Sequence, residues 1–334
     1  MKVFVYFSPG DRFDNFEGTR LRKNIKGALE LNGIKWVESI YALPDIVHFI
    51  SPDDEGKVKE FKKEGVKIVT SALYCEEDEK ACYFLKDDLG ALTLKNKAIN
   101  LLENSDLIFV PSTKARGALK GAGIKNPNIA ICSPGVNLTR FEKDEPLEKE
   151  IFHRYFRLDR RRKAILAVGN LEEMEELEEF RNLAKLLPNF DFLYLGYSKK
   201  GMKITPFLKK ISKKTPPNCH FSSLVADDIY RSAIMNCSYL VFLNSYTASS
   251  MLALEAFAGQ CQTLCVGRSE IEGLLENKKT CYNFDTIEEL AKGIEDLESG
   301  KLKPLLREAY SVARKNSFGE IGQILKTNYE KILK

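Results

Sequence analysis

The 334-residue sequence lacks several features that would assign its class at once. It contains only three histidines and one tryptophan, and none of its eight cysteines forms a Cys-x-x-Cys pair. Zinc-finger spacing is therefore absent, and a disulfide framework is not expected in a chain of this length. No window holds about 18 uninterrupted apolar residues, so the sequence predicts no membrane-spanning helix.

A large excess of one charge is also lacking. The chain has 51 basic and 47 acidic side chains, for a net charge of +4, which is too mild to predict a nucleic-acid partner. The first apolar run ends at Ser8 after five residues, too short for a signal-peptide core, and it predicts a strand. We therefore expect a cytoplasmic protein with reduced cysteines and no nucleic-acid partner.

Strand-like and helix-like patterns alternate along the whole chain. Apolar runs such as 2–7, 67–73 and 106–111 are separated by segments with apolar residues at helical spacing. The alternation begins again at 164–170 and continues with predicted helices at 172–187, 227–236, 249–259 and 269–277. Strands separated by helices of this length predict parallel sheets that are covered on both faces. The sequence therefore predicts an α/β protein with two doubly wound, Rossmann-like domains.

The predicted link between the domains is the charged stretch 141–162, which has no strand pattern. We assign residues 1–145 to the N-terminal domain, 160–310 to the C-terminal domain and 318–334 to a terminal helix. Ligands of open α/β sheets bind at the carboxyl ends of the strands. Two such domains that face each other predict a ligand cleft between them.

Four segments, in the same order along the chain, resemble the GT-B-fold glycosyltransferases, in particular those like family 4. The first, 106–141, carries the family's Pro-Ser, helix-ending Gly, Gly-Val-Asp and Phe as Pro111-Ser112, Gly123, Gly135-Val136-Asn137 and Phe141. The second is 164–197. The third, 239–267, contains Leu254-Glu255-Ala256 and Ala258-Gly259. The fourth, 318–333, resembles the last helix of this fold, which crosses back to the N-terminal domain.

The resemblance implies a GT-B fold and a retaining transfer of a sugar from a nucleotide diphosphate sugar to an acceptor hydroxyl. The acceptor, which is a glycan, a lipid or a small molecule, would bind the N-terminal domain, and the donor would bind the C-terminal domain. Enzymes of this kind are thought to use a donor phosphate oxygen as the base, so that catalysis is mainly positioning and charge stabilisation. We expect no cofactor and no metal, because no Asp-x-Asp-type motif stands in a suitable context.

Glu255 is the leading candidate for a donor-binding residue. It lies in an otherwise apolar helix, where a carboxylate is costly to bury unless it is paired or faces a ligand. The alternative is an exposed glutamate on the one polar side of the helix. In the family, this glutamate accepts hydrogen bonds from the nucleotide ribose. Free backbone N–H groups where this helix begins, at Thr247, Ser249 and Ser250, suit an anion or sugar oxygens, although ordinary serine capping would need no ligand.

The sequence departs from the family pattern at the diphosphate. Thr247 stands in place of the family's first glutamate, and Asn170 and Glu175 stand in place of its arginine and lysine. Replacement cations are available at Arg268, Lys199, Lys200, Lys203 and Arg20, for each of which a solvated surface charge is the alternative. Gly18 and Thr19 precede Arg20 in a predicted loop that corresponds to the family's phosphate-facing first turn. The predicted donor site is completed by Gly169, Gly196 and Leu224.

The departures leave two questions open. A non-catalytic GT-B protein, which binds a partner glycosyltransferase or a glycan, is the alternative to an enzyme. The family often has a histidine after the fourth strand, where this chain has none, and His48 is predicted to be a packed core residue. The basic helix 19–32 is typical either of a solvated surface or of a peripheral contact with anionic lipid.

Overall fold

The computed structural model describes residues 1–6, 16–52, 55–74, 83–86, 92–142, 146–197, 215–223, 225–243, 250–267 and 271–334. These residues form two compact units. The N-terminal unit comprises Met1–Asn137 together with Lys315–Lys334, and the C-terminal unit comprises Leu138–Arg314. The chain therefore passes from one unit to the other twice.

The N-terminal unit is built on a parallel sheet. The strands of this sheet are β1 (Lys2–Tyr6), β2 (Lys35–Val37), β3 (Ile46–Phe49), β4 (Lys67–Ser71), β7 (Leu107–Val110) and β8 (Ile129–Ile131). Two further strands, β5 (Phe84–Lys86) and β6 (Leu92–Leu94), form an antiparallel pair. The sheet has the order β2-β1-β3-β4-β7-β8, and β5 pairs with β6 in a separate antiparallel ribbon. The helices are α1 (Phe16–Leu31), α2 (Glu55–Lys63), α3 (Asn96–Asn104) and α4 (Thr113–Gly121).

The C-terminal unit contains a second parallel sheet. Its strands are β9 (Ala164–Asn170), β10 (Asp191–Tyr197), β11 (Cys219–Ser223), β12 (Tyr239–Phe242), β13 (Gln262–Val266) and β14 (Tyr282–Phe284), in the order β11-β10-β9-β12-β13-β14. The helices are α5 (Pro146–Phe156), α6 (Met174–Leu186), α7 (Asp227–Asn236), α8 (Ser250–Ala258), α9 (Ile287–Glu298) and α10 (Leu306–Lys315). The predicted α/β class, with two doubly wound sheets, is confirmed.

Local sequence signals explain several boundaries. All seven residues of β9 are buried, as expected for a central strand that is covered on both faces. Ser112 caps α4, because its Oγ accepts a hydrogen bond from the backbone N–H of Ala115 at 3.1 Å. α6 ends just before Pro188, which cannot continue a helix.

The helix predicted at 269–277 is wrong. From residue 271 onward this segment is a turn, in which Ile271 and Leu275 form an isolated antiparallel bridge. Gly273 has φ of 77°, a left-handed conformation that an α-helix does not contain. Two of the apolar residues that suggested a helix, Leu274 and Leu275, are instead buried in the core from this turn.

The last helix, α11 (Phe318–Leu333), belongs to the N-terminal unit and packs on α1. Two glycines permit the close approach: a Cβ at Gly27 would collide with the Phe318 ring, and one at Gly322 would collide with Ala28 and Asn32. The Asn32 amide also donates to the Phe318 carbonyl at 3.1 Å. No helix among the residues described is long and apolar enough to cross a membrane.

A buried polar network joins α11 to the sheet. His48 of β3 lies within hydrogen-bonding distance of the Tyr329 hydroxyl through Nδ1, at 2.6 Å, and of Ser71 Oγ through Nε2, at 2.7 Å. Burial lowers the pKa of His48 to about 3, so the ring is neutral at physiological pH. His48 is thus a packed core histidine, as the sequence predicts.

Candidate functional site

The C-terminal sheet contains a topological switch point. From β9 the chain proceeds to β10 and β11 on one side, and it then continues to β12, β13 and β14 on the other side. Ligands of doubly wound sheets bind in the crevice at the carboxyl ends of the strands where this reversal occurs. Here those strands are β9, which ends at Asn170, and β12, which is followed by α8.

Glu255 is a buried carboxylate in the helix that follows β12. All nine residues of α8 are buried, and Glu255 is only 7% exposed, which excludes the alternative of a surface glutamate. The hydroxyl of Tyr230, in the first turn of α7, donates a hydrogen bond to Glu255 Oε2 at 2.7 Å. A buried carboxylate requires such a donor, because its desolvation is otherwise strongly unfavourable.

Several predicted donor residues lie outside the part of the chain that the structure describes. These are Thr247, Ser249, Leu224, Arg268, Lys199, Lys200 and Lys203, and their roles stay predictions. Ser250 is described: it is the first residue of α8 and is buried. The structure therefore places Ser250 and Glu255 on one short helix at the switch point.

The two predicted glycines of β9 and β10 have packing roles. A Cβ at Gly169 would collide with the Tyr194 hydroxyl and with the carboxylate of Glu176. A Cβ at Gly196 would collide with the side chain of Leu171. The side chains after the end of β9 therefore fold back over the ends of these two strands.

Asn170 and the glutamates after it form the turn from β9 into α6. Asn170 is buried, and its Oδ1 accepts a hydrogen bond from the backbone N–H of Glu172 at 2.9 Å. Of the glutamates, Glu176 is 2% exposed, whereas Glu175 lies at the surface. Burial, and then the charge of Glu175, raise the pKa of Glu179. The beginning of α6 thus has a negative field, which disfavours a second anion there.

The structure corrects the predicted phosphate-facing loop. Gly18, Thr19 and Arg20 lie in the first turns of α1, which begins at Phe16, and not in a loop. Their residue types do not prevent this, because a single glycine in a helix costs only about 1 kcal/mol relative to alanine. All three residues belong to the N-terminal unit.

Two arginines fasten α7 to the segment that begins the C-terminal unit. Arg140 donates to the backbone carbonyl of Asp227 at 2.9 Å and pairs with its carboxylate at 2.8 Å. In the opposite direction, Arg231 donates to the backbone carbonyls of Arg140 and Glu142. α7 is therefore held at both sides of Tyr230.

Comparisons with known proteins agree with this architecture. No family model matches the chain. The processive diacylglycerol α-glucosyltransferase of Acholeplasma laidlawii is 22% identical over 335 aligned positions, which cover 100% of this chain and 99% of that protein. A glycosyltransferase structure from Rickettsia africae covers 100% of this chain and 98% of its own, with a TM-score of 0.69 and 15% identity. HepE of Anabaena, solved with UDP and glucose, matches over 99% of both chains, with a TM-score of 0.72 and 13% identity.

The chain has the GT-B fold of these solved glycosyltransferases. The resemblance that the four sequence segments predict is confirmed by the full-length relative and by the fold of the solved structures. The narrower likeness to family 4 stays a prediction. Among the described residues of this chain, no group of three or more His, Cys, Asp or Glu side chains is arranged to hold a metal ion.

Sequence reasoning missed three contributors to this candidate site. Tyr230 bonds to Glu255, Glu176 is buried against Gly169, and Arg140 fastens α7. The burial of Glu176 has a faint signal, since it precedes Leu177 in a run that is rich in glutamates. The other two depend on contacts between segments 25 and 87 residues apart, for which a single sequence carries no pattern.

Proposed function

We propose that this glycosyltransferase moves a sugar from a nucleotide diphosphate sugar to an acceptor hydroxyl, with retention of the anomeric configuration. The observation that carries the proposal is the buried, hydrogen-bonded Glu255 at the switch point of the C-terminal sheet. By the resemblance, its carboxylate accepts the ribose hydroxyls. Ser250 and the first turn of α8 lie where backbone N–H groups suit the oxygens of the phosphates or of the sugar.

Uridine is the nucleoside that we favour for the donor. HepE of Anabaena shares the fold over 99% of both chains and was solved with UDP and glucose. Because α6 has glutamates where the family has a lysine, the diphosphate must be held by other cations. Arg268 and Lys200 are the proposed sources of that charge.

A lipid is the acceptor that we favour over a glycan or a small molecule. The name of the Acholeplasma relative gives it diacylglycerol as acceptor, and the match covers both chains almost completely. A lipid acceptor requires the enzyme to reach a membrane surface, so a peripheral contact through the N-terminal unit belongs to the proposal.

Apolar side chains on the N-terminal unit support this membrane contact. Tyr41 is 92% and Leu43 is 77% exposed, in the turn that follows β2. Two basic side chains of α1 are partly neutralised, because Lys26 and Arg22 lie 2.6 and 3.9 Å from Glu38. We therefore expect insertion of apolar side chains to contribute alongside the attraction of α1 to anionic lipid.

A cytoplasmic location and metal-independent catalysis complete the proposal. Six of the described cysteines are buried and form no disulfide, as a reducing compartment favours: Cys132, Cys219, Cys237, Cys261, Cys265 and Cys281. For the chemistry, a donor phosphate oxygen would act as the base, so the protein would supply positioning and charge stabilisation.

A donor screen followed by a product assay tests the proposal. UDP, GDP, ADP and CMP are compared by thermal shift, where a nucleotide at 100 times its Kd stabilises the folded chain by about 2.7 kcal/mol. UDP-glucose is then incubated with diacylglycerol in anionic vesicles, with and without EDTA. We expect an α-glucoside by NMR in both conditions, and co-sedimentation that falls in Tyr41→Ser and Leu43→Ser. A β-glucoside would contradict retention, and loss of turnover in EDTA would contradict metal independence.

A further inference from the structure

We propose that Tyr230 is a positioning residue, which orients the Glu255 carboxylate toward the ribose of the donor nucleotide. This role rests on the proposed function, because it requires a nucleotide at the switch point. Tyr230 itself need not contact the nucleotide. It would act through the single hydrogen bond that it donates to Glu255 Oε2.

The hydrogen bond restricts the carboxylate at one oxygen. The terminal torsion of a glutamate side chain is broad and roughly two-fold, so an unrestrained carboxylate samples many orientations. The 2.7 Å bond from Tyr230 selects one of them. A carboxylate has about four lone-pair sites, so a bond at Oε2 leaves it the chemical capacity to accept further donors such as ribose hydroxyls.

Tyr230 is suited to this role because it is held firmly on both sides. Its side chain is 5% exposed. Three residues before it, Asp227 is bound by Arg140, and the next residue, Arg231, is bound to the carbonyls of Arg140 and Glu142. The hydroxyl therefore has a fixed place from which to direct Glu255, as a preorganised binding site requires.

A second tyrosine–glutamate pair in the same unit provides a matched control. Tyr239, the first residue of β12, donates to Glu298 Oε1 at 2.5 Å, and Lys163 lies 2.8 Å from the same oxygen. Tyr239 lies at the amino end of its strand, whereas the proposed nucleotide site lies at the carboxyl ends. Removal of this hydroxyl tests what the loss of a part-buried tyrosine–carboxylate bond does without a role in binding.

The experiment compares UDP with 2′,3′-dideoxy-UDP by titration calorimetry on four variants and the wild type. The variants are Tyr230→Phe, Glu255→Gln, their combination and Tyr239→Phe. We expect Tyr230→Phe to weaken UDP binding about tenfold and to leave the affinity for dideoxy-UDP within about twofold. In the Glu255→Gln background, the same substitution should cost less than about twofold. Tyr239→Phe should change neither affinity.

The outcomes separate the positioning role from the function on which it rests. If Tyr230→Phe weakens both ligands equally, or leaves UDP binding unchanged, the positioning role is overturned while nucleotide binding stands. Additive losses in the double variant would overturn it as well. If the wild type binds none of UDP, GDP, ADP and CMP, the proposed function fails, and the role of Tyr230 fails with it. Melting temperatures identify any variant whose loss of affinity comes from unfolding.

Discussion

The two units each bury a polar side chain next to a tyrosine, but the two pairs differ in chemistry. In the N-terminal unit, both ring nitrogens of His48 are engaged by protein hydroxyls, those of Tyr329 and Ser71. In the C-terminal unit, Tyr230 engages one oxygen of Glu255, a group with several lone-pair sites. A neutral ring saturated by the protein is typical of architecture. A buried carboxylate at the switch point of a doubly wound sheet is typical of a ligand site.

Truncation of Glu255 is the strongest test of this contrast. Glu255→Ala should weaken binding of UDP by about 1.5–3 kcal/mol, because a hydrogen bond to a charged group is lost. The melting temperature without ligand should change little, since the buried charge is removed together with its bond. Titration calorimetry and thermal unfolding measure the two quantities. An unchanged affinity for UDP would place the ribose contact elsewhere. Glu255 would then no longer be interpreted as a ligand-site residue.

The pH dependence of stability tests the interpretation of His48 as a structural residue. Folded His48 has a pKa of about 3, whereas an unfolded histidine titrates near 6.5. The unfolded chain therefore binds more protons between these values, and stability that is present above about pH 6.5 is lost as the pH falls toward 3. We expect a loss of about 2 kcal/mol between pH 7.5 and 5 from this group.

Urea unfolding at several pH values measures this loss of stability. We expect nucleotide affinity not to change in parallel with it. The control is His220→Gln, which removes the half-buried histidine of β11 and should leave most of the slope. His48→Gln should flatten the slope. An NMR titration of the His48 ring with a midpoint between pH 6 and 7 in the folded protein would refute the interpretation.

The smallest expected effect concerns the negative field at the beginning of α6. Glu175→Lys should tighten UDP binding by about 0.5–1 kcal/mol, because a solvent-exposed charge is strongly screened. Glu295→Lys makes the same change on α9, at a surface shared with the C-terminal end of α6, and should have no effect. If calorimetry shows the same change in UDP affinity for both substitutions, the effect comes from the net charge of the protein and not from the beginning of α6.

The sequence predicted those features that follow from periodicity. Apolar runs that alternate with helical spacing are repeated often enough to predict two parallel sheets, and the apolar surroundings of Glu255 indicated that its charge is unusual. The turn at 271–278 was missed because its spaced apolar residues resemble a short helix, and the conformation of Gly273 is invisible in a sequence. The bond from Tyr230 to Glu255 was missed because 25 residues and a strand separate them, and tertiary packing alone sets their contact.

The position of α11 in the N-terminal unit has a consequence for folding during synthesis on the ribosome. The C-terminal unit is one continuous stretch, whereas the N-terminal unit needs residues 1–137 and also 315–334. At about 5–20 residues per second, roughly 10–35 s pass between the synthesis of these two parts. During that interval His48 has no Tyr329, and the surface that receives Phe318 on α1 is uncovered. The unit that is made first is therefore the last to be completed, and chaperones have a defined interval in which to protect it.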